Sequence, residues 1–308
     1  MAKSVGCVSI VGAGLIGLGW ARRCLQNGYE VAIWDPGVDW KSLEAKLPAA
    51  GWSLHEHLAD AVGRAMFVQE SVPENIDLKH RLYAEMAGSV REDAVVASST
   101  STLMPSDLQD GVAFADRLLV GHPFNPPDVL PLVEIVPGRK TSPNAVSAAV
   151  DFYDSLQQRP IVLRRERAGH LANRLQAAVW REAVDAVASG QASVKDVDVA
   201  MTSSLGPRWA IQGPFASFHM GGGVGGLEYF LDQLGPKFEH LWRDANIPVV
   251  DPSLRQSLIE AAAGLVATGR YEQAVEARNH TLLTVLAAAE NFERLTQDDN
   301  PEMQLGDG

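Results

Sequence analysis

At 308 residues the chain has room for about two domains and a sizeable core, and its 46% hydrophobic and 21% charged residues are those of an ordinary folded protein. The formal net charge of −12, from 26 Lys+Arg against 38 Asp+Glu, argues against nucleic acid or an anionic membrane as partner. The two cysteines, Cys7 and Cys24, form neither a disulfide framework nor a zinc site, which points to a cytoplasmic, reducing compartment, and no run approaches the roughly 18 apolar residues of a membrane helix.

Residues 5–11 (VGCVSIV) read as a buried parallel strand. This run passes straight into a glycine loop, where a signal peptide would need a cleavage site, so no secretion signal is expected. A helix follows over 15–27, stopped by Gly28, and residues 29–34 (YEVAIW) form a second strand ending at Asp35. Short apolar runs at 65–69, 94–97 and 118–121 are further strands, separated by helical patterns such as 76–87. Residues 132–136 (LVEIV) and 160–163 (PIVL) are the last strands. Strands alternating with helices predict a parallel sheet with right-handed crossovers. After about Arg165 the strand signals stop. Residues 168–189 carry Ala, Leu and Val at helical spacing, and Gly-Pro pairs (206–207, 213–214, 235–236) punctuate further helices. A boundary near residue 165 follows, giving domains 1–165 and 166–308. The polar tail from Gln297 on is expected to fray.

The loop V-G-A-G-L-I-G holds Gly12, Gly14 and Gly17 directly after a strand and at the start of a helix. Gly12 permits the tight turn. Gly14 lets the backbone approach a pyrophosphate on the helix N-terminus, and Gly17 allows close helix–strand packing. Alone, the pattern could be a ligand-free turn. Here Asp35 stands 21 residues beyond Gly14, where an acid can accept the ribose hydroxyls. Its charge would repel a 2′-phosphate, so the expected cofactor is NAD and not NADP.

His122 alone of the eight histidines follows a strand end, the place where open α/β sheets put ligands. A neutral imidazole there suits general-base work near neutral pH. Glu134 lies on the next strand, an odd position for a charge unless it has a partner, and His122 would be a fitting one. By residue type alone, His122 could be a loop histidine, Glu134 an edge charge, Asn173 a helix cap and Ser101 part of a turn.

Residues 121–138 (GHPFNPPDVLPLVEIVPG), 71–79 (SVPENIDLK), 97–103 (ASSTSTL) and 172–175 (ANRL) closely resemble the signature of the 3-hydroxyacyl-CoA dehydrogenase superfamily. Within it, 69–74 (QESVPE), 103–106 (LMPS) and 206–209 (GPRW) are similar to the L-carnitine dehydrogenases and to the lambda-crystallin/L-gulonate 3-dehydrogenase group. Residues 221–236 lean to the carnitine side. The resemblance implies a Rossmann-type doubly wound, mostly parallel sheet followed by an all-helical C-terminal domain that forms a homodimer. It implies a His122–Glu134 catalytic dyad, with Ser101 and Asn173 bonded to the reacting oxygen. It places Glu74, Lys79 and Asn125 at the NAD site. Ser99 stands there too, at a position where many CoA-acting members carry Asn.

Those CoA-acting members hold a helical hairpin after the acid that corresponds to Asp35. Only about 16 residues, 36–51, occupy that place here, enough for one short helix. The expected substrate is therefore a small free 3-hydroxy acid, with carnitine first, L-gulonate second and a short 3-hydroxyacyl-CoA third. A crystallin-like structural or NAD-sensing role is the non-enzymatic alternative. A quaternary ammonium would need aromatic walls, and Trp209, Phe215, Phe218, Tyr229, Phe230 and Trp242 could equally be core residues. Arg208, Trp209 and Phe124 are candidate substrate contacts, and Arg174 is a second candidate cation. His55-Glu56-His57 lacks the spacing to share a helix face, so no metal is expected.

Overall fold

The computed structural model describes residues 6–263, 265 and 269–297. Two expectations fall partly outside that span: the first residue of the opening strand, Val5, and the polar tail beyond the last helix. The chain divides into two compact units, Met1–Leu175 and Gln176–Gly308.

The first unit is built in the order β1 (Cys7–Val11), α1 (Leu15–Gln26), β2 (Glu30–Trp34), α2 (Trp40–Glu44), β3 (Trp52–Leu54), α3 (Leu58–Val62), β4 (Phe67–Glu70), α4 (Ile76–Met86), β5 (Val95–Ser98), α5 (Pro105–Leu108), β6 (Leu118–Pro123), β7 (Leu132–Pro137), α6 (Pro143–Ser155) and β8 (Arg159–Val162). The eight strands form one sheet in the order β3-β2-β1-β4-β5-β6-β7-β8. All pairs are parallel except β6 with β7, which run antiparallel. The winding reverses between β1 and β4. The crevice at the carboxyl ends of these strands is where such sheets hold ligands.

Continuous apolar strands are needed because both faces are covered. Along β5, Val95 and Ala97 join the layer containing Trp20, Phe67, Phe152 and Tyr153, while Val96 joins the opposite layer with Leu82, Tyr83, Met86 and Phe114. Phe67 stacks on Phe152 with centroids 3.8 Å apart, which pins α6 to the sheet. Local signals set the helix starts. Asn75 accepts a bond from the Leu78 amide, and Ser142 from that of Ala145. The segment after β2 holds only the five-residue α2, as its length required. The three-residue β3 and the short α3 that follow were not legible as periodic patterns.

The helix α7 (Ala172–Ala188) opens where the first unit ends and runs into the second. The second unit continues with α8 (Val194–Ala200), α9 (Gly206–Ile211), α10 (Pro214–Gly221), α11 (Gly226–Asp244), α12 (Pro252–Ala263) and α13 (Tyr271–Gln297). Its elements are all helices among the described residues, and it has its own aromatic cluster. Phe218 stacks on Phe230 at 4.3 Å, and Phe238 packs edge-on to Phe218. Phe230 is thus a core residue with the half-buried Phe218 packed on it, whereas Phe215, Tyr229 and Trp242 are exposed. No described helix is long and apolar enough to cross a membrane.

Candidate active site

The three glycines of the loop meet different demands. Gly12 has φ +95°, and a Cβ there would sit 2.8 Å from the Ser71 backbone. At Gly17 a Cβ would lie 1.9 Å from the Gly12 carbonyl oxygen. At Gly14 a Cβ would meet nothing within 4 Å. That open space lies at the N-cap of α1, where no side chain caps the first turn. The first-turn amides therefore face outward as an anion cradle, reinforced by the helix dipole. Asp35 closes the cradle from the end of β2. Its Oδ2 accepts a bond from the Ala13 amide and its Oδ1 from the Gly37 amide, both at 2.8 Å. Each oxygen keeps a lone pair for a ribose hydroxyl. A dinucleotide fits these donors and acceptors.

Across the switch point, β4 ends in two buried polar residues. Glu70 accepts from Lys79 Nζ (2.6 Å), the Val72 amide (2.8 Å), Tyr83 Oη (2.7 Å) and Ser98 Oγ (2.6 Å). A buried carboxyl group so fully bonded leaves no polar atom unsatisfied and fixes the loop that follows. Lys79, expected to line the cofactor site, is instead only 1% exposed, because Glu70 draws its ammonium inward. Gln69 donates to Ser99 Oγ at 2.8 Å and accepts from Tyr153 Oη at 2.7 Å, so Ser99 is held in place.

Glu74 ties this loop to the next one. Its Oε1 accepts from Thr100 Oγ1 (2.6 Å), the Ser101 amide (3.1 Å), the Thr102 amide (2.9 Å) and Thr102 Oγ1 (2.8 Å). Partial burial would raise its carboxyl, but the bonds from Thr100 and Thr102 outweigh it and hold the group below the usual range.

His122 corrects one expectation. It does not follow its strand but lies within it, because antiparallel pairing with β7 extends β6 to Pro123. The register sets His122 directly opposite Glu134. Their Nδ1 and Oε2 atoms are 2.8 Å apart, with Glu134 fully buried and His122 nearly so. Glu134 Oε1 also accepts from the amides of Leu171 (2.8 Å) and Ala172 (2.9 Å), at the start of α7. Burial works to raise the Glu134 carboxyl. The bond from His122 and the two amides prevail, and the group stays below its usual range. Against an ionised Glu134, His122 Nδ1 is the donor, which leaves a lone pair on Nε2.

Asn173 donates from Nδ2 to the Ser101 carbonyl at 3.4 Å. It lies inside the first turn of α7 and not at its cap. Ser101, His122, Glu134 and Asn173 thus converge. Phe124 stands edge-on to His122, centroids 5.4 Å apart. Asn125 is exposed beside them, ahead of a cis peptide to Pro126. A residue that sequence reasoning missed joins the group. His170 is 2% exposed, with its ring centroid 5.2 Å from that of His122. A lone histidine before a helix carries no periodic signal. Its only mark in the sequence is its place directly after Gly169.

Arg174 is exposed, and its Nη1 reaches the Ala168 carbonyl at 3.5 Å. Arg208 and Trp209 lie on α9 of the second unit, both exposed. His55, Glu56 and His57 span the β3–α3 connection, where His55 Nε2 pairs with Ser53 Oγ at 2.8 Å.

Residues 38–167 match the 3-hydroxyacyl-CoA dehydrogenase NAD binding domain, and residues 169–248 match the C-terminal domain of the same family. The L-carnitine dehydrogenase of Nocardiopsis dassonvillei is 41% identical, over 95% of this chain and 94% of its own length. That of Streptomyces griseus is 39% identical, over 94% and 92%. Among solved structures, 5-formyl-3-hydroxy-2-methylpyridine 4-carboxylic acid 5-dehydrogenase, an NAD-dependent dismutase, superposes with a TM-score of 0.79 at 28% identity, covering 93% of this chain and 99% of that one. A 3-hydroxyacyl-CoA dehydrogenase from Archaeoglobus fulgidus gives 0.66 at 27% identity, covering 92% and 99%.

Proposed function

Because this chain belongs to the 3-hydroxyacyl-CoA dehydrogenase family and is an NAD-dependent dehydrogenase of CH–OH groups, we propose that it oxidises L-carnitine at its secondary hydroxyl with His122 as general base. The single observation that carries the mechanism is the buried His122–Glu134 bond at 2.8 Å. NAD, when bound, supplies the hydride acceptor. His122 Nε2 takes the hydroxyl proton. Glu134, kept ionised by the α7 amides, fixes the ring and stabilises the imidazolium that forms. Ser101 and Asn173 hold the reacting oxygen, and Ser99, Glu74 and Asn125 border the nicotinamide end of the cofactor. Gly12, Gly14, Gly17 and Asp35 hold its adenosine and pyrophosphate end.

The substrate assignment is supported by relatives that are L-carnitine dehydrogenases over more than nine-tenths of their length. The short α2 segment supports it too, since no hairpin is present there to hold a CoA moiety. The test is NADH formation on L-carnitine, L-gulonate, 3-hydroxybutyrate and 3-hydroxybutyryl-CoA. The expected order puts L-carnitine highest in kcat/KM, and comparable kcat/KM on the CoA thioester overturns the free-acid reading. H122Q is expected to keep NAD binding and to lose about 10²- to 10⁴-fold in kcat. The same reading takes the enzyme as a homodimer. Leu175 and Trp180, both exposed on α7, are the apolar residues offered to that contact. A monomer in sedimentation equilibrium would refute it.

A further inference from the structure

His170 is held in an unusual way. Its φ is +49°, in the left-handed region that a residue with a side chain seldom adopts, and it follows Gly169 at +75°. This double turn sends the imidazole into the protein. Its Nε2 lies 3.1 Å from the Thr100 carbonyl, which only accepts, so the proton of the neutral ring is on Nε2. Nδ1 is then a bare lone pair, buried and without a hydrogen-bond partner among the described residues. Leaving such an atom unpaired costs on the order of 1–3 kcal/mol. Strain together with an unsatisfied buried acceptor marks a functional position. The two rings lie 5.2 Å apart between centroids, and the nitrogens not engaged by Glu134 and by the Thr100 carbonyl are His122 Nε2 and His170 Nδ1.

We propose that His170 is a relay residue, receiving at Nδ1 the substrate proton that His122 abstracts and passing it to water. The proposal rests on His122 being the base. In each turnover the substrate O–H bond breaks and an N–H bond forms on His122 Nε2, while the hydride carries its electron pair to NAD. The His122 N–H bond then breaks and one forms on His170 Nδ1 through a single bridging water, since Nδ1 has no hydrogen-bond partner among the described residues. Water in the adjoining cavity finally takes the proton. That cavity, of about 620 Å³, is bordered by His170 together with Arg164, Arg165, Arg167 and Arg174. Its one acid, Glu166, accepts instead from the amide and hydroxyl of Ser106. Burial pushes the ring below the ordinary imidazole value, the Thr100 bond pulls it back up, and His122 pushes it down again. The acids that face it are Glu134 from β7 and Glu74 from the β4–α4 loop, and both pull upward. The net depression keeps the relay neutral between turnovers.

The test uses H170Q in the full chain with NAD and the panel acid that the enzyme oxidises fastest. Glutamine can keep an N–H on the Thr100 carbonyl but cannot carry a proton. The expected result is unchanged NAD binding, kcat at neutral pH lowered about 10-fold or more, and partial recovery with free imidazole in the buffer. A wild-type kcat, or a loss that imidazole does not recover, overturns the relay and leaves His170 a structural tie. If H170Q does not fold, H170F, which fills the slot with a ring, is read by the same two measurements. The H122Q control separates the two readings. Near-normal NADH formation by H122Q removes the base assignment itself, whereas an inactive H122Q beside a fully active H170Q removes only the relay.

Discussion

Gly12, Gly14 and Gly17 are chemically identical and physically different. A methyl at Gly17 would collide with the Gly12 carbonyl at 1.9 Å, so it must push α1 off β1. A methyl at Gly14 meets no protein atom, and the backbone there, φ −69° and ψ −169°, suits any residue. G17A is therefore expected to lose several kcal/mol of stability, as overpacked sites do. G14A is expected to lose only about 1 kcal/mol, the cost of alanine at a helix N-cap, yet to weaken NAD binding at least about 10-fold by filling the approach to the pyrophosphate. Thermal melts and a fluorescence titration with NAD check both. Equal loss of NAD affinity and stability in G14A would contradict the cradle. The spacing of the glycines and Asp35 made the cofactor legible in the sequence. It did not reveal that Lys79 turns inward to Glu70, because a buried ion pair between β4 and α4 leaves no periodic trace.

At the scale of elements, the site depends on two pieces of geometry. The apolar runs identified β6 and β7, but the antiparallel register that sets His122 against Glu134 is a non-local pairing that no single run encodes. The N-terminus of α7 completes the pair by donating two amides to Glu134. A proline is tolerated in the first helical position but has no N–H. A172P is thus expected to fold, to lose roughly 10-fold in kcat, and to shift the acid limb of activity upward as Glu134 becomes easier to protonate. The Glu134 carboxyl is depressed in the folded protein, so its stabilisation is present above the ordinary value of 4.5 and is lost as pH falls through the folded value. Melting temperatures followed below about pH 4.5 should therefore fall less steeply for E134Q than for the unaltered chain. Parallel acid limbs would show that Glu134 is not held as an anion.

For the whole molecule, the loops that would hold NAD all belong to the first unit: the glycine cradle, Asp35, Glu74, Ser99 and Asn125 lie before residue 176. A ligand that binds only the folded form stabilises it by mass action, about 2.7 kcal/mol at one hundred times its Kd. For a unit of this size that corresponds to a rise of roughly 5–10 °C in its midpoint. Calorimetry with increasing NAD is expected to move the transition of the first unit by that amount. If the two units melt separately, the second transition should stay in place. NADP at the same concentration should do far less, because Asp35, held by the amides of Ala13 and Gly37, sets a negative charge where the 2′-phosphate would lie. Equal shifts with the two cofactors would mean that Asp35 does not select between them. D35S should narrow the gap by removing the repulsion, at the expense of the bond to the Ala13 amide.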